Sequence, residues 1–169
     1  MEHYYAQIPD DIAALSNRDA IERYGAGAAV PGEAVAGLTP EQLNSFPVLG
    51  TWSIQQIILH LMDTDLIAAY RMKRIIAEDR PVLDLYDETD FAARLHYDKA
   101  DAAKVCEVFR LNRQLTAEML RHLHDDAFDR VAQHGEVGEM SLGRFLRLYI
   151  KHLDHHMRFI RAKRELVTS

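Results

Sequence analysis

Cysteine is nearly missing from this chain of 169 residues, in which Cys106 stands alone. A single thiol excludes an internal disulfide and a cysteine-based zinc cluster, and it suits a reducing compartment, so a cytoplasmic location is expected. Long apolar runs are missing too. No uninterrupted stretch approaches the ~20 residues that a bilayer-spanning helix needs, and the opening MEHYYAQIPDD has no basic segment followed by an apolar one. Neither membrane insertion nor secretion is expected. Charge of one sign does not accumulate: 20 Lys and Arg face 26 Asp and Glu, for a formal net charge of -6, with no basic run. Phosphate binding needs a positive stripe, so nucleic acid is not an expected partner. Low-complexity tracts, repeats and linker-like stretches are absent, and so is most of the Val/Ile/Thr alternation of strands. What remains is one all-α domain over residues 1–169, whose 48% hydrophobic content suffices for a sizeable core.

Glycine and proline divide the chain into blocks of helical period. A first helix is expected over about Asn17 to Ala29, weakened by its glycines, and a short one over Leu38 to Leu43, started by Thr39. A long block runs from Ser53 to Asp79. Ser53 followed by Gln56 is a capping-box pattern, and Trp52 is placed to staple that helix start to the core. Ile57, His60, Leu61, Thr64, Ile67, Ala68 and Arg71 fall on one face of it. The connection from Val82 to Tyr97 is longer than a typical bundle loop and is expected to hold a short helix near Glu88 to Leu95. The third long helix runs from Asp98 or Asp101 to His122, with Val105, Val108, Phe109, Leu115, Met119 and Leu123 as its buried stripe. The fourth is capped by Ser141 and reaches about Leu166, with Leu142, Phe145, Tyr149, His152, His156, Phe159, Ile160 and Lys163 facing the core. Four such helices predict an up-down four-helix bundle with a long connection between the second and third.

Histidine is the abundant oddity, nine in all, three of them in Tyr149-Ile150-Lys151-His152-Leu153-Asp154-His155-His156-Met157. Residues four apart share a helix face, so His152 and His156 point together into the core, whereas His155 points elsewhere. His60 lies on the core stripe of another helix. A buried neutral imidazole must satisfy both ring nitrogens, and a metal on one with a hydrogen bond on the other does so. Three such rings make a three-nitrogen site with open positions; the alternative is a set of satisfied core histidines. Zinc, nickel and ferrous iron all accept imidazole. Asp63, one turn after His60, is a candidate general base or orienting group, with a surface carboxylate as its plain alternative. Arg71 and Arg113 could bind an acidic group, but partly exposed salt-bridge partners are expected there. His134 is read as a loop histidine, and Cys106 as an inert buried thiol. His3, His96, His122 and His124 form no constellation.

The segments TWSIQQIILHLMDTD, Thr51 to Asp65, and RVAQHGEVGEMSLGRFLRLYIKHLDHHMRFI, Arg130 to Ile160, resemble the DinB/YfiT-like family, whose members are described as metal-dependent hydrolases. The similarity extends over roughly Asp10 to Lys163. It implies a four-helix bundle, often a homodimer, with one divalent ion on three histidines, here His60, His152 and His156. Zinc or nickel comes first, with iron or manganese as alternatives. Activities in similar proteins include thiol-dependent S-transfer with a low-molecular-weight thiol as co-substrate, and isomerisation of maleylpyruvate. The expected function is therefore a small-molecule enzyme, hydrolase or S-transferase. The rival is a non-catalytic dimeric bundle with a structural or vestigial metal site.

Overall fold

In a computed structural model, residues 7–169 are described; His3 lies outside the described residues. Eight α-helices occur among them: α1 (Asp10–Ala13), α2 (Asn17–Ala26), α3 (Val30–Val35), α4 (Pro40–Asn44), α5 (Ile54–Ala77), α6 (Glu88–Arg94), α7 (Ala102–Arg121) and α8 (Leu142–Thr168). The bundle consists of α2, α5, α7 and α8. The starts of these helices follow from local side-chain chemistry. Ser53 accepts from the Gln56 N–H while the Gln56 amide returns to the Ser53 N–H, closing the expected capping box of α5. Asp101 caps α7 and Ser141 caps α8, each satisfying N–H groups that the first turn leaves unpaired.

α5 packs on both α7 and α8, and so does α2. Chain neighbours α2 and α5 therefore sit across the diagonal, as do α7 and α8. The long linkage holding α3 and α4 allows the first diagonal step. The second is made by a hairpin of β2 (Val131–His134) and β3 (Gly138–Ser141), with Val131 opposite Ser141 and Ala132 opposite Met140. A two-residue strand, β1 (Val82–Leu83), joins β2 in parallel, pairing Leu83 with His134. This small sheet was not expected from the sequence. Its strands are too short to show alternation, and the β1 to β2 pairing joins segments distant in the chain.

The apolar interior is in two parts. One gathers Tyr24, Met72, Ile75, Leu120, Phe128, Leu142 and Phe145. The other gathers Ile54, Ile58, Leu61, Phe109, Leu153, Met157 and Ile160. Near their junction lies a polar layer. Arg113 of α7 is 1% exposed, against the expectation of a partly solvated side chain. Its Nε donates to Asp65 of α5 at 3.1 Å and its Nη2 to the Tyr149 carbonyl of α8 at 2.7 Å. Tyr24 and Asn112 also donate to Asp65, and the guanidinium carbon stands 4.2 Å over the Tyr24 ring. A sequence stripe shows an arginine's position but not its partner on another helix. Val108 and Leu115, expected in the core, are exposed, as is Phe159.

The Asp65 to Arg113 pair should behave as a buried ion pair. Arg113→Ala leaves a buried carboxylate without its counter-charge and is expected to cost about 3–5 kcal/mol. Urea denaturation measures this; a change below ~1 kcal/mol, the size of a surface pair, would contradict the assignment.

Candidate metal centre

Three imidazoles converge where α5 and α8 pass. His60 comes from α5, and His152 and His156 from successive turns of α8; one ring nitrogen from each lies within 4.8 Å of the other two. Nε2 of His60 and Nε2 of His152 are 3.1 Å apart. Metal to imidazole distances of about 2.0–2.1 Å would separate two ligand nitrogens by roughly 2.9 Å at a right angle and 3.3 Å at the tetrahedral angle. The observed spacing falls between these. The donor set therefore fits one divalent ion, and among the described residues this cluster has three members and no fourth.

The surroundings keep the rings neutral. Burial holds the His60 pKa down to about 4 and that of His156 to about 3, and it puts His152 well below the ordinary value. Neutral imidazole is the form that binds a metal. Trp52 meets the His60 ring edge-on, with centroids 4.9 Å apart. Thr64, one turn on, donates back to the His60 carbonyl, so its hydroxyl is satisfied within α5.

The cluster opens on a cavity of about 290 Å³, lined further by Trp52, Thr64, Arg71, Tyr86, Glu88, Leu148 and Tyr149. Tyr86 and Glu88 belong to the long connection after α5, which thus walls the cavity. His155 also lines it, standing edge-on to the His156 ring, although the helical spacing points it elsewhere. Arg71 is buried, contrary to the solvated reading; it donates to the Asp84 carbonyl, a partner in a connection whose path periodicity cannot give. A smaller cleft of about 150 Å³ continues past Arg71 and Tyr86 to His134 and Glu136. His134 is a buried strand residue, and burial with the Arg71 charge nearby lowers its pKa.

Asp63 is not among the cavity-lining residues. It accepts a hydrogen bond from the Tyr97 hydroxyl, and burial raises its pKa. Cys106 is buried among apolar neighbours, which pushes its thiol up to about 11. A thiol in that state is almost wholly protonated at neutral pH and a poor nucleophile. Tyr86, Glu88, Leu148 and Tyr149 had no role in the sequence reading beyond a wall or a stripe, since no motif marks them.

A family model for the DinB superfamily matches residues 32–160. A protein of Oceanobacillus iheyensis named "Putative metal-dependent hydrolase" is 31% identical over 126 residues, spanning 75% of this chain and 73% of its own length. YfiT of Bacillus subtilis, with the same description, is 30% identical over 130 residues, spanning 76% and 72%. The solved structure of YfiT, a four-helix bundle of unusual topology, matches with a TM-score of 0.83 at 24% identity in that alignment, covering 94% of this chain and 89% of that one.

The suppressed imidazole pKa values set a pH dependence for metal-free protein. An unfolded histidine accepts a proton near pH 6.5, but the folded His60 and His156 resist until about 4 and about 3. Their contribution to stability is thus complete above pH ~6.5 and is lost as pH falls through the folded values. The slope in that window is about 1.4 kcal/mol per pH unit for each ring that stays neutral. Denaturation of chelator-treated protein across the window tests this against His156→Gln, which should flatten the slope; equal slopes would contradict it.

Proposed function

The chain belongs to the DinB superfamily, and on that premise we propose that it is a metal-dependent enzyme acting on a small molecule, as a hydrolase or a thiol-dependent S-transferase. His60, His152 and His156 hold one divalent ion in this reading. The carrying observation is that three ring nitrogens meet within 4.8 Å on the wall of a cavity, with no fourth protein ligand among the described residues. Three protein ligands with space beside them are the pattern of catalytic zinc sites, whereas structural sites close with four. That difference favours an enzyme over a non-catalytic bundle with a structural ion. An all-imidazole set suits zinc and nickel ahead of iron, and suits manganese least.

The ion supplies Lewis acidity, which lowers the pKa of a water toward ~7 or favours the thiolate of a thiol co-substrate. The chain supplies the rest. Burial keeps all three imidazoles as neutral donors. Trp52, Leu148 and Tyr149 present apolar surface beside the histidines. Asp63 lies on the Tyr97 side of α5, and no step is assigned to it.

A homodimer is part of the same reading. Leu66 and Tyr70 of α5 and Val108, Leu111 and Leu115 of α7 are exposed at helical spacing, Leu115 to 65%. Rows of apolar side chains on two adjoining helices favour a partner surface over solvent. Leu111→Glu with Leu115→Glu should convert a dimer to a monomer in light scattering; an unchanged mass would remove these residues from the interface.

The metal assignment is tested by loading chelator-treated, tag-free protein with zinc and nickel while following stoichiometry and melting temperature. Wild type should take one ion per chain and gain stability by mass action. His60→Ala and His156→Ala should each lose both. Stoichiometric binding that survives either substitution would overturn the ligand assignment.

A further inference from the structure

Arg71 differs from the other buried arginine in one respect. Arg113 is matched by Asp65, whereas Arg71, 5% exposed, has no carboxylate within 4.0 Å among the described residues. One Nη donates to the Asp84 carbonyl, and the guanidinium carbon lies 5.8 Å from the Tyr86 ring centroid. A neutral carbonyl and a ring face hold the group in place without neutralising it. A buried cation without a counter-charge is costly. Arg71 also lines both the histidine cavity and the adjoining cleft, so its free donors have room for a partner.

Three carboxylates line the same cleft, and among the described residues none lies within 4.0 Å of the Arg71 guanidinium. His134 is pushed toward its neutral form, and Thr64 and Tyr149 are uncharged. Asp87 turns a carboxylate oxygen to the Thr89 and Asp90 N–H groups of α6 rather than to Arg71. Glu88 and Glu136 line the space, neither within ion-pair reach of Arg71.

Resting on the proposed function, we infer that Arg71 receives an oxyanion, a carboxylate or phosphoryl group, at the end of the substrate remote from the reacting bond. Arg71 follows His60 by three helical turns on the same face, about 16 Å of axis at ~1.5 Å per residue. Its side chain leans back toward the N-terminus and shortens that gap. The substrate class is accordingly an elongated small molecule, anionic at one end and carrying its reactive bond several bonds away. The planar fork of guanidinium donors selects an oxyanion over a neutral carbonyl, and the Tyr86 ring lies 5.8 Å from its carbon.

The test uses metal-free protein, so that no anion can bind through an ion. Inorganic phosphate and acetate are titrated separately by calorimetry and thermal shift. Wild type should bind at least one of them at one site per chain, and which of the two binds more tightly identifies the oxyanion. Arg71→Gln should weaken that binding about tenfold or more, the loss expected for a charge-assisted hydrogen bond. Arg71→Lys should fall between, keeping the charge without the fork. If Arg71→Gln does not fold, Tyr86→Leu replaces it and should weaken binding several-fold. No binding to wild type, or binding unaltered by Arg71→Gln or its substitute, would overturn the inference. Metal loading of wild type is measured in parallel. Absence of anion binding in wild type that still takes one ion rejects this inference alone, and failure of wild type to take the ion rejects the metal reading alone.

Discussion

The arrangement of the site depends on a buried ion pair that is not part of it. Asp65 and Arg113 meet at 3.1 Å with both side chains almost wholly enclosed. Through the Nη2 bond to the Tyr149 carbonyl, Arg113 also ties α7 to α8. Asp65 lies just over one turn from His60, and Tyr149 lies three residues before His152. One guanidinium thereby sets the register of the two helices that carry the histidines. Burying such a pair brings little net stability, because both ions are desolvated, but a slipped register would leave each charge unpaired. The pair is better understood as a constraint on geometry than as a source of stability. Gly27 belongs to the same constraint: a Cβ there would stand 2.6 Å from Arg113 Nη1 and 2.5 Å from Leu153 Cδ2.

The cavity above this layer is electrically lopsided. At one end are three imidazoles that burial makes neutral, so they can donate lone pairs. At the other is the guanidinium of Arg71. Between them the wall is mainly aromatic and aliphatic, from Trp52, Leu148, Tyr149 and Tyr86. A charge in a partly enclosed space is screened less than one on the open surface. Burial, with the same arginine's charge beside it, disfavours protonation of His134 in the adjoining cleft.

Much of the helical frame was legible in the sequence because it rests on local rules. The Ser53 and Gln56 box, the Ser141 cap and the spacing of His152 and His156 all depend on residues within a turn or two. The histidine trio was also legible, since a polar ring on an otherwise apolar stripe stands out. The errors have a common origin in partners from elsewhere in the chain. Arg113 reads as a surface residue until Asp65 arrives from α5, and Arg71 until the connection after Pro81 folds over it. Leu115 and Val108 erred the other way, because apolar spacing does not say whether a face meets the core or the outside of the bundle. The sheet was missed because β1 contributes only Val82 and Leu83.

This division between local and distant information runs through the functional site. The histidines sit on long helices whose placement follows from periodicity and from one polar tie, so the histidine end of the cavity belongs to the frame of the bundle. Tyr86, Glu88 and His134 come from the connection and the hairpin, whose positions depend on the parallel pairing of β1 with β2. That pairing carries the connection past Arg71 and sets the Asp84 carbonyl and the Tyr86 ring against its guanidinium. Rigid helices tolerate little change, and connections tolerate more. On the proposed reading, a bundle built this way can keep its three histidines while the far wall is remodelled, so selectivity should follow the α5 to α7 connection more closely than the histidines.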